Sequence, residues 1–296
     1  MLLVYTSKIT PRLKFVFKQI CTRILKTPVS FTKVIEEFIA HDSLKMSYGA
    51  QPLGSEFFVR SNGLLLEQGI SDVELNVQTW EDTKCFFSCG EKSHIPFDIF
   101  SAAFYLLSRY EEYLPHVKDT YGRFTKEESL AFQSGFLHQP VIDLWAYKFK
   151  AALQIQYPNF EFDTRHFSIN PVIDVPVAYY FKNKGFLRTI GGIVSDLARF
   201  RLKFLYNRFP VLFGFKKDPY DNFKWIINRQ KTSQSKFNFF FLIGNLTTYD
   251  KNNSINKKQF VSLIKSVADY CNVGIKASYM ALDSMSILKA EKRQMD

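Results

Sequence analysis

The chain has 296 residues, 46% hydrophobic and 17% aromatic, with 31 Phe and 15 Tyr. That is enough apolar material for one large or two ordinary domains, and it excludes a wholly disordered chain. The formal net charge of +11 points to anionic partners. No apolar run reaches the roughly 18 residues of a membrane span. The opening "MLLVYTSKIT" has too short an apolar run and no cationic start for a secretory leader, so the expected location is cytoplasmic.

Residues 2–5 read as a strand. In "TPRLKFVFKQICTRIL", Thr10 is a cap and Pro11 the first helical residue, with Leu13, Val16, Phe17, Ile20 and Ile24 on one face. Residues 29–90 read as β-rich, in "VSFTKVIEEFIA", "EFFVRSNGLLLEQG" and "VELNVQTWEDTKCFF". Asp98 then caps a helix carrying Phe100, Ala103, Phe104 and Leu107, with Pro115 just past its end. The polar stretch that follows reads as a loop, and another helix starts near Pro140. "YPNFEFDTRHF" reads as a linker and strand.

From about residue 165, strand and helix alternate. "FSINPVIDVPVAYY", "FNFFFLIGN" and "VGIKASYM" are strands. "TIGGIVSDLARFRLKFLYNRF", "PYDNFKWIINRQKT", "KKQFVSLIKSVADYC" and "DSMSILKAEKRQMD" are helices. Such alternation predicts a parallel sheet or a (β/α) barrel. The expected division is a mixed α+β domain over 1–164 and a second domain over 165–296. Phe239, Phe240 and Phe241 are expected to be buried on both faces of their strand. Adjacent Glu111 and Glu112 diverge on a helix and read as a solvated helix end. "TIGGIVSD" reads as a helix-entry turn rather than a phosphate cradle.

Cys21, Cys85, Cys89 and Cys271 lack the paired spacing of a zinc site and read as buried free thiols. Between 181 and 236 there are 13 Lys/Arg against 3 Asp, a net +10 that holds nearly all of the chain's excess. Two readings follow: a solvated face, or an anionic membrane surface met by a basic amphipathic helix over 189–208.

Several stretches together resemble a known family: "PFDIFSAAFYLLSRYEEYLP", "YGRF" (121–124), "GFLRTIGGIVSDL", "KKDPYDNF", "FFFLIGNLTTYDKN" and "VGIKASY". The whole chain is similar to Bacteroidetes-type polysaccharide deacetylases. Those carry a mixed N-terminal domain before a NodB-like deformed (β/α) barrel of carbohydrate esterase family 4. The resemblance implies metal-dependent hydrolytic removal of acetyl groups from glycans, a hydrolase acting on non-peptide C–N bonds. In active relatives an Asp-x-Asp at the first strand end supplies the general base and a metal ligand, and later histidines complete the site. A divalent metal such as Zn²⁺ lowers the pKa of its bound water and polarises the acetyl carbonyl.

Carried over residue by residue, Asp174 takes the general-base position. The metal positions fall on Pro176, Lys276 and Met280. Proline offers no side-chain donor atom, and an ammonium repels a metal. The expectation is therefore a deacetylase-like protein with little or no hydrolase activity and no bound cofactor, with Asp174 paired to Lys276. Relatives continue for more than a hundred residues past this point, so residues 165–296 are expected to encode an incomplete barrel, the first half. Self-association is one expected means of covering its open edge. The alternative readings are a non-catalytic glycan-binding or scaffold protein, and a membrane-surface partner acting through the basic segment. Nucleic acid is not expected as a partner.

Overall fold

The first sheet is built from four short strands, all parallel, in the spatial order Val29–Thr32, Leu2–Tyr5, Lys45–Gly49, Phe57–Arg60. The computed structural model describes residues 1–164, 166–233 and 235–296. They form two units, Met1–His166 and Phe167–Asp296, so the division falls two residues beyond the expected boundary.

Strand β1 (Leu2–Tyr5) buries Leu2 and Val4. Helix α1 (Pro11–Phe17) begins at Thr10, whose hydroxyl accepts from the Leu13 N–H, and continues as a π-helical stretch over Lys18–Ile24. Leu13, Val16, Phe17 and Ile20 are buried along it. Strand β2 (Val29–Thr32) is shorter than expected, because Ile35–Ala40 is a helix, α2. The Thr32 hydroxyl accepts from the Val34 N–H and donates to Glu37, and this local turn ends the strand. Strand β3 (Lys45–Gly49), which periodicity did not single out, buries Met46, Ser47 and Tyr48. Strand β4 (Phe57–Arg60) pairs with it in parallel. Strands β5 (Gln78–Trp80) and β6 (Thr83–Cys85) form a separate hairpin.

Helix α3 (Ile99–Leu107) is capped by Asp98 and buried over most of its surface. Its Phe100 ring stacks on Phe17 at 3.7 Å between centroids. The stretch expected to be a loop holds a one-turn helix, α4 (Leu130–Gln133). Glu111 accepts from the Leu130 N–H there, and burial raises its pKa. It is not the solvated helix end expected, and Glu112, itself partly buried, pairs with the exposed Arg109. Helix α5 (Val141–Gln156) lays Trp145 and Phe149 into the same core. The strand expected after it is absent among the described residues there, and Arg165 lies outside them.

The second unit opens with β7 (Val172–Val175). In place of one helix over 189–208 there are two, α6 (Phe186–Ala198) and α7 (Leu202–Leu212). "TIGGIVSD" lies inside α6 and is not a helix-entry turn. The break is a left-handed C-cap at Phe200, φ 51°. The Phe200 N–H donates to the Leu197 carbonyl, and the Arg201 N–H to that of Asp196. Glycine is usual there, and Phe costs roughly 1 kcal/mol in that conformation, so no Gly or Pro marked the stop. Helix α8 (Phe223–Thr232), strand β8 (Asn238–Leu242), helix α9 (Lys258–Ala268), strand β9 (Asn272–Lys276) and helix α10 (Met285–Met295) complete the alternation. The three strands are parallel, in the order β7-β8-β9. All four cysteines are buried and free.

Candidate functional site

Alternation along each strand gives the β7-β8-β9 sheet two unlike faces. Ile173, Val175, Phe239, Phe241, Val273 and Ile275 face one side, where Phe223 and Ile227 of α8 and Phe260, Ile264 and Val267 of α9 cover them. The opposite side carries Val172, Asp174, Phe240, Gly274 and Lys276. Phe240 is 38% exposed there. This corrects the expectation that Phe239–Phe241 is buried on both faces: helices cover only one of them. Gly274 leaves room for the Phe240 ring, since a Cβ there would lie 2.8 Å from its Cε1.

Register brings the acid and the base together. Asp174 lies beside Phe240, and Phe240 beside Gly274. Lys276 is two residues further along β9 on the same face, and its long side chain reaches back across β8. Lys276 Nζ donates to Asp174 Oδ2 at 2.6 Å. The side chains are 36% and 55% exposed, more open than a partly buried pair. Water screens such a contact, so it is worth about 0–1 kcal/mol.

The loops after the strands are held by buried polar groups that sequence reasoning did not single out. Asp218 accepts four backbone N–H bonds, from Tyr180, Phe181, Lys182 and Tyr220, at 2.8–3.1 Å. Asn253 accepts from the N–H groups of Ala178 and Tyr179, just past β7. Asn252 donates to the Leu242 and Gly244 carbonyls at the end of β8. The Asp-Pro step in "KKDPYDNF" is a turn signal, and it was the only local hint of Asp218.

A divalent metal does not fit the donors at these strand ends. Asp174 offers one carboxylate, already bound to an ammonium. Pro176 offers no side-chain donor, Lys276 offers a positive charge, and Met280 is a half-exposed thioether. No group of three or more His, Cys, Asp or Glu side chains able to hold a metal ion is found among the described residues.

These features define a two-unit α/β protein in which the sheet of the second unit carries an acid–base ion pair. A model of a family of unknown function, DUF7033, matches residues 2–158, more than half of the chain. The chain belongs to that family. The match lies within the first unit, and neither a curated protein nor a solved structure matches the chain.

Proposed function

We propose that the chain is a polysaccharide deacetylase-like protein in which an ion pair has replaced the metal centre, leaving glycan binding without metal-dependent hydrolysis. In this reading β7, β8 and β9 are the opening strands of a NodB-like (β/α) barrel, with their open face turned to the barrel interior. Three consecutive parallel strands with helices on one side support it. The observation that carries it is the Lys276–Asp174 contact. It occupies the two positions that, by the resemblance, converge on one metal.

An ammonium there neutralises Asp174 without a cofactor and activates no water. The same face keeps what sugar binding uses. The exposed Phe240 ring can pack against sugar C–H groups, and the carboxylate and ammonium can bond hydroxyls. A purely scaffolding role leaves this face without a ligand.

Titrating Zn²⁺ into the purified protein is expected to show no stoichiometric site, and acetylated chito-oligosaccharides to release no acetate. The double substitution Pro176→Asp with Lys276→His supplies two donors beside Asp174 and is expected to create a site for one ion. Lys276→Met alone is expected to change stability by less than about 1 kcal/mol. Stoichiometric Zn²⁺ at Asp174 in the unaltered protein overturns the proposal. On the binding side, Phe240→Ala is expected to weaken oligosaccharide affinity about tenfold. Absence of any oligosaccharide binding leaves the scaffold reading in its place.

A further inference from the structure

Helices α6 and α7 are inside out. On α6, Leu187, Ile190, Val194 and Leu197 recur at helical spacing, and all four are exposed. Its more buried side carries Arg188, which donates to the Asn252 carbonyl, and Asp196. On α7 the exposed series is Leu202, Tyr206, Phe209 and, just past the end, Phe213. It buries Arg208, which pairs with Asp196 and lies over the Phe181 ring, together with Val211 near its C-terminal end. Gly192 leaves room for that buried pair: a Cβ there would be 2.6 Å from Arg208 Nη1. The hairpin is thus pinned by a buried ion pair, with Val211 alongside, and shows its longer apolar stripes to solvent. A soluble surface helix does the reverse.

The most exposed rings sit at its corners. Phe200, in the left-handed position between the helices, is 86% exposed, and Phe215 is 87% exposed. Cations are interleaved with them at Arg199, Arg201, Lys203, Lys216 and Lys217. Beside α7 a groove of about 710 Å³ is lined by Lys203, Lys216 and Lys217 together with the Tyr180, Phe204 and Tyr220 rings.

We propose that the α6–α7 hairpin is a peripheral membrane element that lies in the interface of an anionic bilayer. Its apolar stripes sit among the acyl chains, and its lysine-lined groove takes lipid phosphate. Charge decides between a bilayer and a protein partner. Protein interfaces are depleted in lysine, whereas here three lysines line one groove beside the exposed rings, in a segment of net +10. No helix among the described residues is long and apolar enough to cross a membrane.

The test is co-sedimentation of the full chain with phosphatidylglycerol–phosphatidylcholine vesicles and with pure phosphatidylcholine vesicles, at low and high salt. Binding is expected to the anionic vesicles, to fall with salt, and to be weak on neutral ones. The triple change Phe200→Ser, Phe213→Ser, Phe215→Ser is expected to weaken it about 100-fold or more. Lys203→Glu, Lys216→Glu, Lys217→Glu is expected to weaken it about 100-fold, at roughly fivefold per lysine. All six side chains are exposed, so the urea midpoint is expected to stay put. Three results overturn the proposal: no binding to anionic vesicles at low salt, equal binding to neutral vesicles, or binding that both folded variants retain. A dimer that the Phe changes dissolve, without vesicle binding, also overturns it and assigns the face to a second copy.

Discussion

Asp98→Ala is expected to cost the first unit about 4 kcal/mol or more, a large part of the 5–15 kcal/mol that holds an ordinary domain folded. Asp98 is fully buried, and its carboxylate gathers five donors. Oδ1 accepts from the N–H groups of Phe100 and Ser101 and so caps α3. Oδ2 accepts from the Tyr48 and Ser101 hydroxyls and the Asn62 N–H, at 2.6–2.8 Å. One side chain thus ties α3 to β3 and to the turn after β4. Each buried donor left without a partner costs about 1–3 kcal/mol, and the lost cap about 1. Tyr48 and Ser101 are 3.3 Å apart and can recover one bond between themselves, which tempers the sum.

The same residue sets a pH dependence. Burial pushes the Asp98 carboxyl above the ordinary aspartate range, against the pull of its donors. The folded chain then holds a proton that the unfolded chain has released. Stability from this group is therefore lost as pH rises from about 4 through the raised value. Asp98→Asn has no such proton, so the cost of that substitution is expected to shrink across this window. Urea unfolding followed by Trp145, buried in the same core, measures both effects. An unchanged midpoint in Asp98→Ala would contradict the bonding described here.

In the second unit the largest effect is expected at Asp218. Replacing it by alanine frees four backbone N–H groups at once, three of them consecutive. Hydrogen bonds to a buried charge are worth about 1.5–3 kcal/mol each, but neighbouring ones do not add. A loss of about 3 kcal/mol is expected for Asp218→Ala, and about half of that for Asp218→Asn, which keeps one accepting oxygen. Hydrogen exchange reads this locally. The amides of Tyr180, Phe181 and Lys182 are expected to exchange about 100-fold faster in the alanine variant, following the same free energy. Exchange left at the original rate would show that the chain after β7 is held by other contacts, Asn253 foremost.

Local sequence was sufficient wherever structure follows from neighbours in the chain. Thr10 with Pro11, and Asp98 before an apolar helix, announced two helix starts that the folded chain uses. The alternation after residue 165 announced three parallel strands and the helices between them. Asp174 and Lys276 were legible as a pair only through the resemblance, since 102 positions separate them and neither carries a local signal. Other features were decided by tertiary structure alone. β3 was missed because it carries no alternation: Met46, Ser47 and Tyr48 are all buried, between β1 and β4. The split of the basic helix turned on Phe200 adopting a conformation usually left to glycine. An amphipathic pattern gives the period of a helix but not which face turns inward. On α6 and α7 a buried Asp196–Arg208 pair sits inside while most apolar residues face outward, because two opposite charges in contact can be buried where an unpaired one cannot.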